Sequence, residues 1–200
     1  MPFFTIIATH YQNAETEEIL TRFINSIKAQ SFKDYELLIL HDGPQLRETS
    51  HDVIWSDKFE KQYGHNLRQR GIDLAEGEYI IHTNCDNIYS IHALRDFHDT
   101  IKSTSKEIAI GNVVMYGMNR SVETGGVWYD TPRDYSKYTL LTGNPPVWGN
   151  MDLMSLCASK RLWKIYGWND LRKDSDGFIY SKMCCENEYA ITATLIGYHY

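Results

Sequence analysis

Short apolar runs alternate along the chain with longer amphipathic segments. Continuous runs of apolar, β-branched and aromatic residues predict buried strands over residues 3–9, 35–40, 53–55, 79–83 and 107–115, with a weaker candidate at 151–158. Between the first two runs, Leu20, Phe23, Ile24 and Ile27 recur at helical spacing. This alternation predicts an α/β fold with a mostly parallel sheet and helices on both faces.

Polar residues mark the predicted helix starts. Asn13, Asn66, Ser90 and Ser159 can each cap the helix that follows them. A last helix is predicted over residues 182–195, before Gly197. Residues 119–146 are rich in Gly, Thr, Asp and Tyr and predict a long surface loop, which on a rigid α/β scaffold often carries function.

The composition narrows the classes of function. The formal net charge is −6, and Lys and Arg are scattered, which argues against a general nucleic-acid or membrane-surface binder. No apolar stretch approaches the roughly 20 residues of a transmembrane helix, so we expect no integral membrane segment. The first residues lack the basic region of a signal peptide. The four cysteines show no disulfide or zinc spacing, which favours a reducing, cytoplasmic setting.

Acidic residues stand at the ends of predicted elements. Asp42 follows the second strand, and Asp86 follows the strand at 79–83. Because ligands collect at the carboxyl ends of strands in open α/β sheets, the two acids predict a site for a divalent cation and a polar ligand. Each also has a structural interpretation, since Asp42 can form a turn with Gly43 and Asp86 can cap a helix. Glu186 opens the predicted last helix, where the helix dipole favours a carboxylate; it can equally be an ordinary first-turn charge.

Other chemical motifs are absent from the sequence. It contains no dinucleotide-binding GxGxxG fingerprint, no P-loop, no GxSxG nucleophile elbow and no HExxH zinc motif. Cys85 stands beside Asp86, but no ordered set of Cys, His and acid can be argued around it. These absences leave the strand-end carboxylates as the main chemical signal.

The motifs, in their order and spacing, resemble glycosyltransferase family 2, whose members have the GT-A fold and transfer sugars from nucleotide-sugar donors with inversion. The resemblance covers nearly the whole chain. The similar stretches are residues 6–13 (IIATHYQN), 26–32 (SIKAQSF), 35–43 (YELLILHDG) and 68–80 (RQRGIDLAEGEYI). The family likeness implies a single domain with a nucleotide-sugar half at 1–115 and an acceptor and catalytic-base half at 116–200.

The resemblance also implies roles for individual donor-side residues. Thr9 and Tyr11 would contact uridine, Asp42 would hydrogen-bond the base, and Arg68 would lie near the donor pocket. The stretch Asn84-Cys85-Asp86 occupies the DXD position, with its first acid replaced by an amide. Asp86 matches the final acid, so the resemblance implies a divalent metal there, Mn²⁺ or Mg²⁺.

The acceptor side is implied in the same way. The family's catalytic base would correspond to Glu186, with Glu188 as the fallback, and Glu186→Gln is expected to abolish transfer. Trp148 and Asp152 lie where the family shapes the acceptor site. His199 is a weaker candidate as a further metal ligand.

Two other functions stay open from the sequence. The incomplete DXD is compatible with an inactive nucleotide- or sugar-binding domain. A sugar-phosphate nucleotidyltransferase is less compatible, because residues 9–13 after the first strand carry no glycine and no Lys or Arg. The sequence favours a UDP-sugar donor and a glycan or glycoconjugate acceptor, but it specifies neither the sugar nor the linkage.

Overall fold

The computed structural model of the protein describes residues 1–12, 15–60, 62–117, 121–124, 127–130, 135–169 and 175–200. The helices are α1 (Glu17–Lys28), α2 (His65–Leu74), α3 (Ala93–Thr104), α4 (Lys160–Tyr166) and α5 (Ser175–Glu186). The main strands are β1 (Phe4–His10), β2 (Tyr35–His41), β3 (Ile54–Trp55), β4 (Tyr79–Asn84), β5 (Ile88–Tyr89), β6 (Ile108–Tyr116), β9 (Tyr138–Leu141), β10 (Leu156–Ser159) and β11 (Ala190–His199). A separate hairpin joins β7 (Ser121–Thr124) and β8 (Val127–Asp130). The predicted α/β fold is confirmed.

Most of the sheet is parallel. Its order is β3-β2-β1-β4-β10-β6-β11-β5, with β9 added beside β6. The strands β3, β2, β1 and β4 run in one direction, and β10 is antiparallel to both β4 and β6. As a result β4 and β6 are parallel to each other, and β11 continues parallel to β6. The parallel strands therefore share one carboxyl edge, where their connecting loops meet.

Hydrophobic cores lie on both faces of the sheet. On one face, Leu20, Phe23, Ile24 and Ile27 of α1 pack with α3 against β1 and β4. On the other face, α2, α4 and α5 bury residues that include Trp163 and Trp168. Burying each such side chain stabilises the fold by about 1.5–3 kcal/mol. The residues with helical periodicity in the sequence are those that α1 buries, so the predicted helix is confirmed.

The predicted helix caps have mixed outcomes. Ser159 caps α4 as predicted, since its hydroxyl accepts from the Leu162 amide. Asn66 was wrongly predicted as a cap, because α2 begins at His65, one residue earlier. Ser90 was also wrong: α3 begins at Ala93, and the Ser90 hydroxyl donates to a carbonyl of β11. Asn13 lies outside the described residues.

The predicted last helix over 182–195 is wrong. The chain forms α5 from Ser175 to Glu186 and then β11 from Ala190 to His199, which pairs with β6. The physical reason is that β11 is rich in β-branched residues and finds a long pairing partner, which outweighs its accidental helical spacing. The surface loop predicted at 119–146 also contains β9, which pairs with β6.

Candidate functional site

A cavity of about 680 Å³ lies at the carboxyl edge of β1, β2 and β4. The register pairs Thr9 with Asn84 and His10 with His41, so the residues after these strands reach one place. The cavity is lined by Tyr11, Gln12, His41, Asp42, Phe59, Tyr63, Arg68 and Asn84. The structure thus brings together four predicted donor-side residues, with Thr9 hydrogen-bonded behind them.

The wall around Asp42 depends on one glycine. Asp42 is buried, and its Oδ1 accepts from the Glu60 amide at 2.7 Å. Gly43 has a φ of 109°, and a side chain there would collide with the Phe59 ring. Phe59 and Tyr63 line the cavity, although the sequence analysis did not identify them. They lie between β3 and α2, where no periodic pattern marks them.

Tyr11 and His41 add polar groups from adjacent strands. Burial raises the pKa of Tyr11 above its ordinary value. Burial also lowers the pKa of His41, whose Nδ1 lies 2.8 Å from the His10 carbonyl oxygen. The buried His41 Nε2 has no hydrogen-bond partner within the protein. An unpartnered buried polar atom on a residue that lines a cavity of this size is compatible with a site that a polar ligand completes.

Arg68 lines the same cavity. It is only 4% exposed, and its guanidinium reaches Thr9 and Asn84 at the ends of β1 and β4. The Trp168 ring lies 5.2 Å from the guanidinium carbon and supports it from the other side. The loop from β4 to β5 therefore has a fixed cation next to it.

Asp86 lies in the turn between β4 and β5. Its backbone carbonyl accepts from Arg22 at 3.2 Å, which holds the turn against α1. The neighbouring Cys85 side chain is buried in the core, and burial raises its thiol pKa well above the ordinary value. The side chain of Cys85 therefore does not line the cavity, and the geometry does not support the predicted donor contact for this side chain.

The half-buried His199 pairs with the buried Asp152. Their Nδ1 and Oδ2 atoms lie 2.6 Å apart, and the other Asp152 oxygen accepts from the Met154 amide. Burial raises the pKa of Asp152, but His199 and the amide outweigh it, so the net pKa is below its ordinary value. Because β11 pairs antiparallel with β5, His199 lies beside the turn that carries Asp86.

Asp176 was not identified from the sequence. It lies in the first turn of α5, and its Oδ1 accepts from the Gly177 amide at 2.9 Å. Burial raises its pKa above the ordinary value, Asp152 raises it further, and Arg68 lowers it. The signal was present in the sequence: Ile179, Tyr180, Met183 and Cys184 have the helical spacing of a buried face, which places Asp176 at the helix start.

Trp148 lies across the start of the same helix. It is 61% exposed, and a side chain at Gly177 would collide with its ring. The loop that carries it is ordered by Asn150, whose amide donates to the Pro145 carbonyl and whose backbone contacts Gly143 and Val147. The structure therefore presents a large exposed ring on a rigid loop next to Asp176.

Glu186 and Glu188 lie at the opposite edge of the sheet. Glu186 is the exposed last residue of α5 and accepts from the Tyr166 hydroxyl, so its predicted position at a helix N-terminus is wrong. Glu188 pairs with Lys106 just before β6. The helix dipole disfavours rather than favours a carboxylate at the end of α5. Neither acid lies with Asp42, Arg68 and Asp176.

Two structural features bear on metal and membrane binding. Among the residues that the structure describes, no three His, Cys, Asp or Glu side chains form a cluster that could hold a metal ion. Within the same part of the chain, every helix is too short or too polar to cross a membrane.

Comparison with known families and structures supports the fold. The model of the family described as "Glycosyl transferase family 2" matches residues 5–165. The solved structure of S. aureus TarS 1-349 shares 13% identity over 98% of this chain and 60% of that chain, with a TM-score of 0.69. The structure of its complex with UDP shares 15% identity over 98% of this chain and 59% of that chain, with a TM-score of 0.67. The structure of its complex with UDP-GlcNAc shares 14% identity over 98% of this chain and 57% of that chain, with a TM-score of 0.66.

These structures share the fold of this chain. At 13–15% identity the likeness concerns the arrangement of strands and helices, not the residues of the site. The chain spans about three fifths of the length of the TarS 1-349 structures. The predicted GT-A architecture is confirmed by the match.

Proposed function

Because this chain belongs to glycosyltransferase family 2, we propose that it transfers a sugar from a UDP-sugar donor to a hydroxyl group of a glycan acceptor. The observation that carries the proposal is the cavity at the carboxyl edge, where Tyr11, Asp42 and Arg68 meet, with the half-buried Asp176 near Arg68. The choice of UDP is supported by the TarS complexes with UDP and UDP-GlcNAc, which have the same fold.

A divalent metal ion, Mn²⁺ or Mg²⁺, would be held by Asp86 with His199 as a further ligand. The fit is supported by the Asp152–His199 contact, because a metal-binding histidine commonly donates its second ring N–H to a carboxylate that orients it. Few protein ligands suffice for such ions when phosphate oxygens and water complete the shell. When bound, the metal would stabilise negative charge on the leaving diphosphate.

Asp176 is the base in this proposal, in place of Glu186. A base must lie near the acceptor hydroxyl, and Asp176 lies at the carboxyl edge between Arg68 and Trp148. Its raised pKa makes it a better proton acceptor than an exposed aspartate, while the Arg68 charge limits the rise. Glu186 and Glu188 lie at the other edge and cannot share a substrate with Asp86.

The reaction is a single displacement. Asp176 takes the proton of the acceptor hydroxyl as its oxygen attacks the anomeric carbon of the donor sugar. The bond from that carbon to the diphosphate oxygen breaks, and both electrons leave with UDP. Attack from the face opposite the leaving group inverts the anomeric centre. Asp176 carries the proton afterwards and loses it to solvent.

Trp148 forms the acceptor side of the site. Its exposed ring offers an apolar face, onto which the C–H face of a pyranose can stack. Gly177 fixes the distance between this ring and the first turn of α5. Asp152 is buried and therefore acts through His199 rather than by touching the acceptor.

Calorimetric titration tests the donor class. UDP, GDP and dTDP are each titrated with and without manganese, and the same titrations are repeated with Asp86→Ala. We expect UDP to bind best and its affinity to rise with manganese in the wild-type protein but not in the variant. Absence of binding by every nucleotide in both conditions would contradict the proposal.

An inactive nucleotide- or sugar-binding domain is the second candidate. It is favoured by Asn84 at the DXD position and by the missing three-residue metal cluster among the described residues. Slow hydrolysis of a UDP-sugar that needs Asp176 would distinguish the enzyme from such a domain. A nucleotidyltransferase is less supported, because Tyr11 and Gln12 follow β1 where a basic, glycine-rich loop would be needed.

A further inference from the structure

Arg68 is a buried cation surrounded by neutral acceptors. A guanidinium has five N–H donors. Four of them point to the Tyr63 carbonyl at 2.6 Å, His65 Nδ1 at 3.3 Å, Thr9 Oγ1 at 3.2 Å and Asn84 Oδ1 at 2.7 Å. The fifth, on Nε, is buried without a partner in the protein. In the part of the chain that the structure describes, no carboxylate forms an ion pair with Arg68.

The arrangement holds this charge in place. The Trp168 ring lies against the guanidinium and stacks on His65 with their planes 9° apart. The indole Nε1 donates to His82 Nε2 at 3.1 Å, which fixes the ring on β4. Burying an un-neutralised cation costs several kcal/mol, so a rigid one beside a cavity is typical of a site for an anionic ligand.

Asn84 decides whether that charge is neutralised within the protein. Its Oδ1 accepts from both Arg68 Nη2 and the Thr9 hydroxyl. An aspartate has the same shape, and at this position its carboxylate would form a short ion pair with Arg68. The neutral amide keeps the same hydrogen bonds and leaves the positive charge for a ligand in the cavity.

The polarity of the cavity orients that ligand. Asp42 follows β2 and Asn84 ends β4, on opposite sides of β1, so an anion is repelled on the side of Asp42 and attracted on the side of Arg68, which is bonded to Asn84. A nucleotide would therefore enter with its base towards Asp42 and its phosphates towards Arg68. The Asp86 carboxylate would repel those phosphates in the absence of a metal, which leaves Arg68 as the attractive charge.

We propose that Arg68 is a phosphate-binding residue for the nucleotide donor and that the neutral Asn84 keeps its charge available. The inference rests on the proposed function, because it assumes a nucleotide ligand. Its consequence is that the affinity for the diphosphate has a component that does not need metal.

The test compares UDP with uridine in the presence of EDTA. In wild-type protein, UDP should bind at least about tenfold more tightly than uridine, as for a charge-assisted contact. Asn84→Asp should lose most of that difference while its affinity for uridine stays unchanged. Arg68→Gln removes the charge itself and should lose the difference to the same extent. Asn25→Asp adds the same charge at an exposed position of α1 and serves as the control.

The outcomes separate this inference from the proposed function. If Asn84→Asp and Arg68→Gln kept the wild-type ratio of UDP to uridine affinity, the phosphate role of Arg68 would be wrong, while the donor class would stand. An equal affinity of the wild-type protein for UDP and uridine in EDTA would overturn the inference in the same way. If neither ligand bound with or without metal, both the inference and the proposed donor class would fall. Circular dichroism and melting temperature check that each variant is folded.

Discussion

The proposed chemistry centres on one half-buried carboxylate. Asp176 lies where burial raises its pKa and the Arg68 charge opposes that rise. We expect Asp176→Asn to lower the transfer rate by about 10²–10⁴-fold, because the amide cannot accept the acceptor proton. UDP should still bind, because Asp176 does not line the donor cavity. UDP release in the presence of acceptor measures the rate, and calorimetry measures the binding.

The matched control is Glu186→Gln, which makes the same chemical change at the exposed end of α5. It should transfer sugar at close to the wild-type rate. Loss of transfer in Glu186→Gln with retention in Asp176→Asn would reverse the assignment. The wild-type rate should also fall with acid through a pKa above the ordinary aspartate value, because only the ionised carboxylate accepts a proton.

Residues next to strand ends were accessible to sequence reasoning. Tyr11, Asp42 and Asn84 follow parallel strands, and the register of the sheet alone brings such residues together. Phe59 and Tyr63 were not accessible in this way, because they enter the cavity from an irregular segment. Their positions depend on the fit of Phe59 against Gly43 and on the path of the chain into α2.

Among the secondary-structure elements, the proposed acceptor side depends on the contact between the loop that carries Trp148 and the start of α5. Trp148→Ala removes the proposed stacking surface, and Gly177→Ala forces the ring away from α5. We expect each to raise the KM for the acceptor by about tenfold, the scale of an aromatic contact, with the KM for the donor unchanged. Initial rates at varied acceptor and donor concentrations measure both constants.

The control for this prediction is Ile165→Ala, which removes a similarly exposed apolar side chain from α4. Its kinetic constants should match those of the wild-type protein. Trp148→Phe keeps an aromatic face and should recover part of the acceptor affinity. Equal KM values for the acceptor in wild type and Trp148→Ala would exclude stacking on this ring.

The wrongly predicted helix over 182–195 is also explained by contacts between elements. A short apolar sequence with mixed periodicity is compatible with helix or strand, and the choice depends on available partners. Here β6 offers β11 a full pairing edge, and α5 already covers the face where a helix would pack. Because the helix runs from Ser175 to Glu186, Asp176 lies at its start near the site and Glu186 lies at its end, at the far edge of the sheet.

At the scale of the whole molecule, stability should depend on a buried carboxyl near the donor loop. Burial raises the pKa of Glu15 to about 8, and the Tyr11 amide donates to this carboxyl at 2.9 Å. Burial also lowers the pKa of His10 to about 4, and its Nε2 lies 3.7 Å from Glu15. Both side chains are therefore neutral in the folded protein near pH 7.

The two shifts have opposite effects on stability. Between about pH 4.5 and 6.5 the unfolded chain has lost the proton of Glu15 and holds one on His10, whereas the folded chain does the reverse, so the two effects on the free energy of unfolding largely cancel. Between pH 6.5 and about 8, only the Glu15 effect remains, because its folded pKa is above its unfolded value. This carboxyl should then lower the free energy of unfolding by about 1.4 kcal/mol for each pH unit.

Glu15→Gln should remove that dependence while keeping an oxygen that can accept from the Tyr11 amide. Urea unfolding at pH 6.5, 7.25 and 8 measures it, with Glu18→Gln as an exposed control on α1. Wild type and Glu18→Gln should lose stability relative to Glu15→Gln as the pH rises. Parallel stability profiles for all three proteins would contradict a neutral, buried Glu15.

The sequence by itself determined the α/β class, the buried strands β1, β2, β4 and β6, and the residues at the ends of β1, β2 and β4 that line the cavity, because the periodicity of a strand is a local property. It missed the parallel strand β11, because the pairing of β11 with β6 is not local. Tertiary structure alone decided that Asp176 lies near Arg68 and that the Trp148 ring lies across the start of the same helix, whereas Glu186 lies at its far end. It also decided that Arg68 keeps its charge among neutral partners. These features depend on contacts between distant segments, such as Arg68 with Asn84 and Trp148 with Gly177, whose geometry no local pattern encodes.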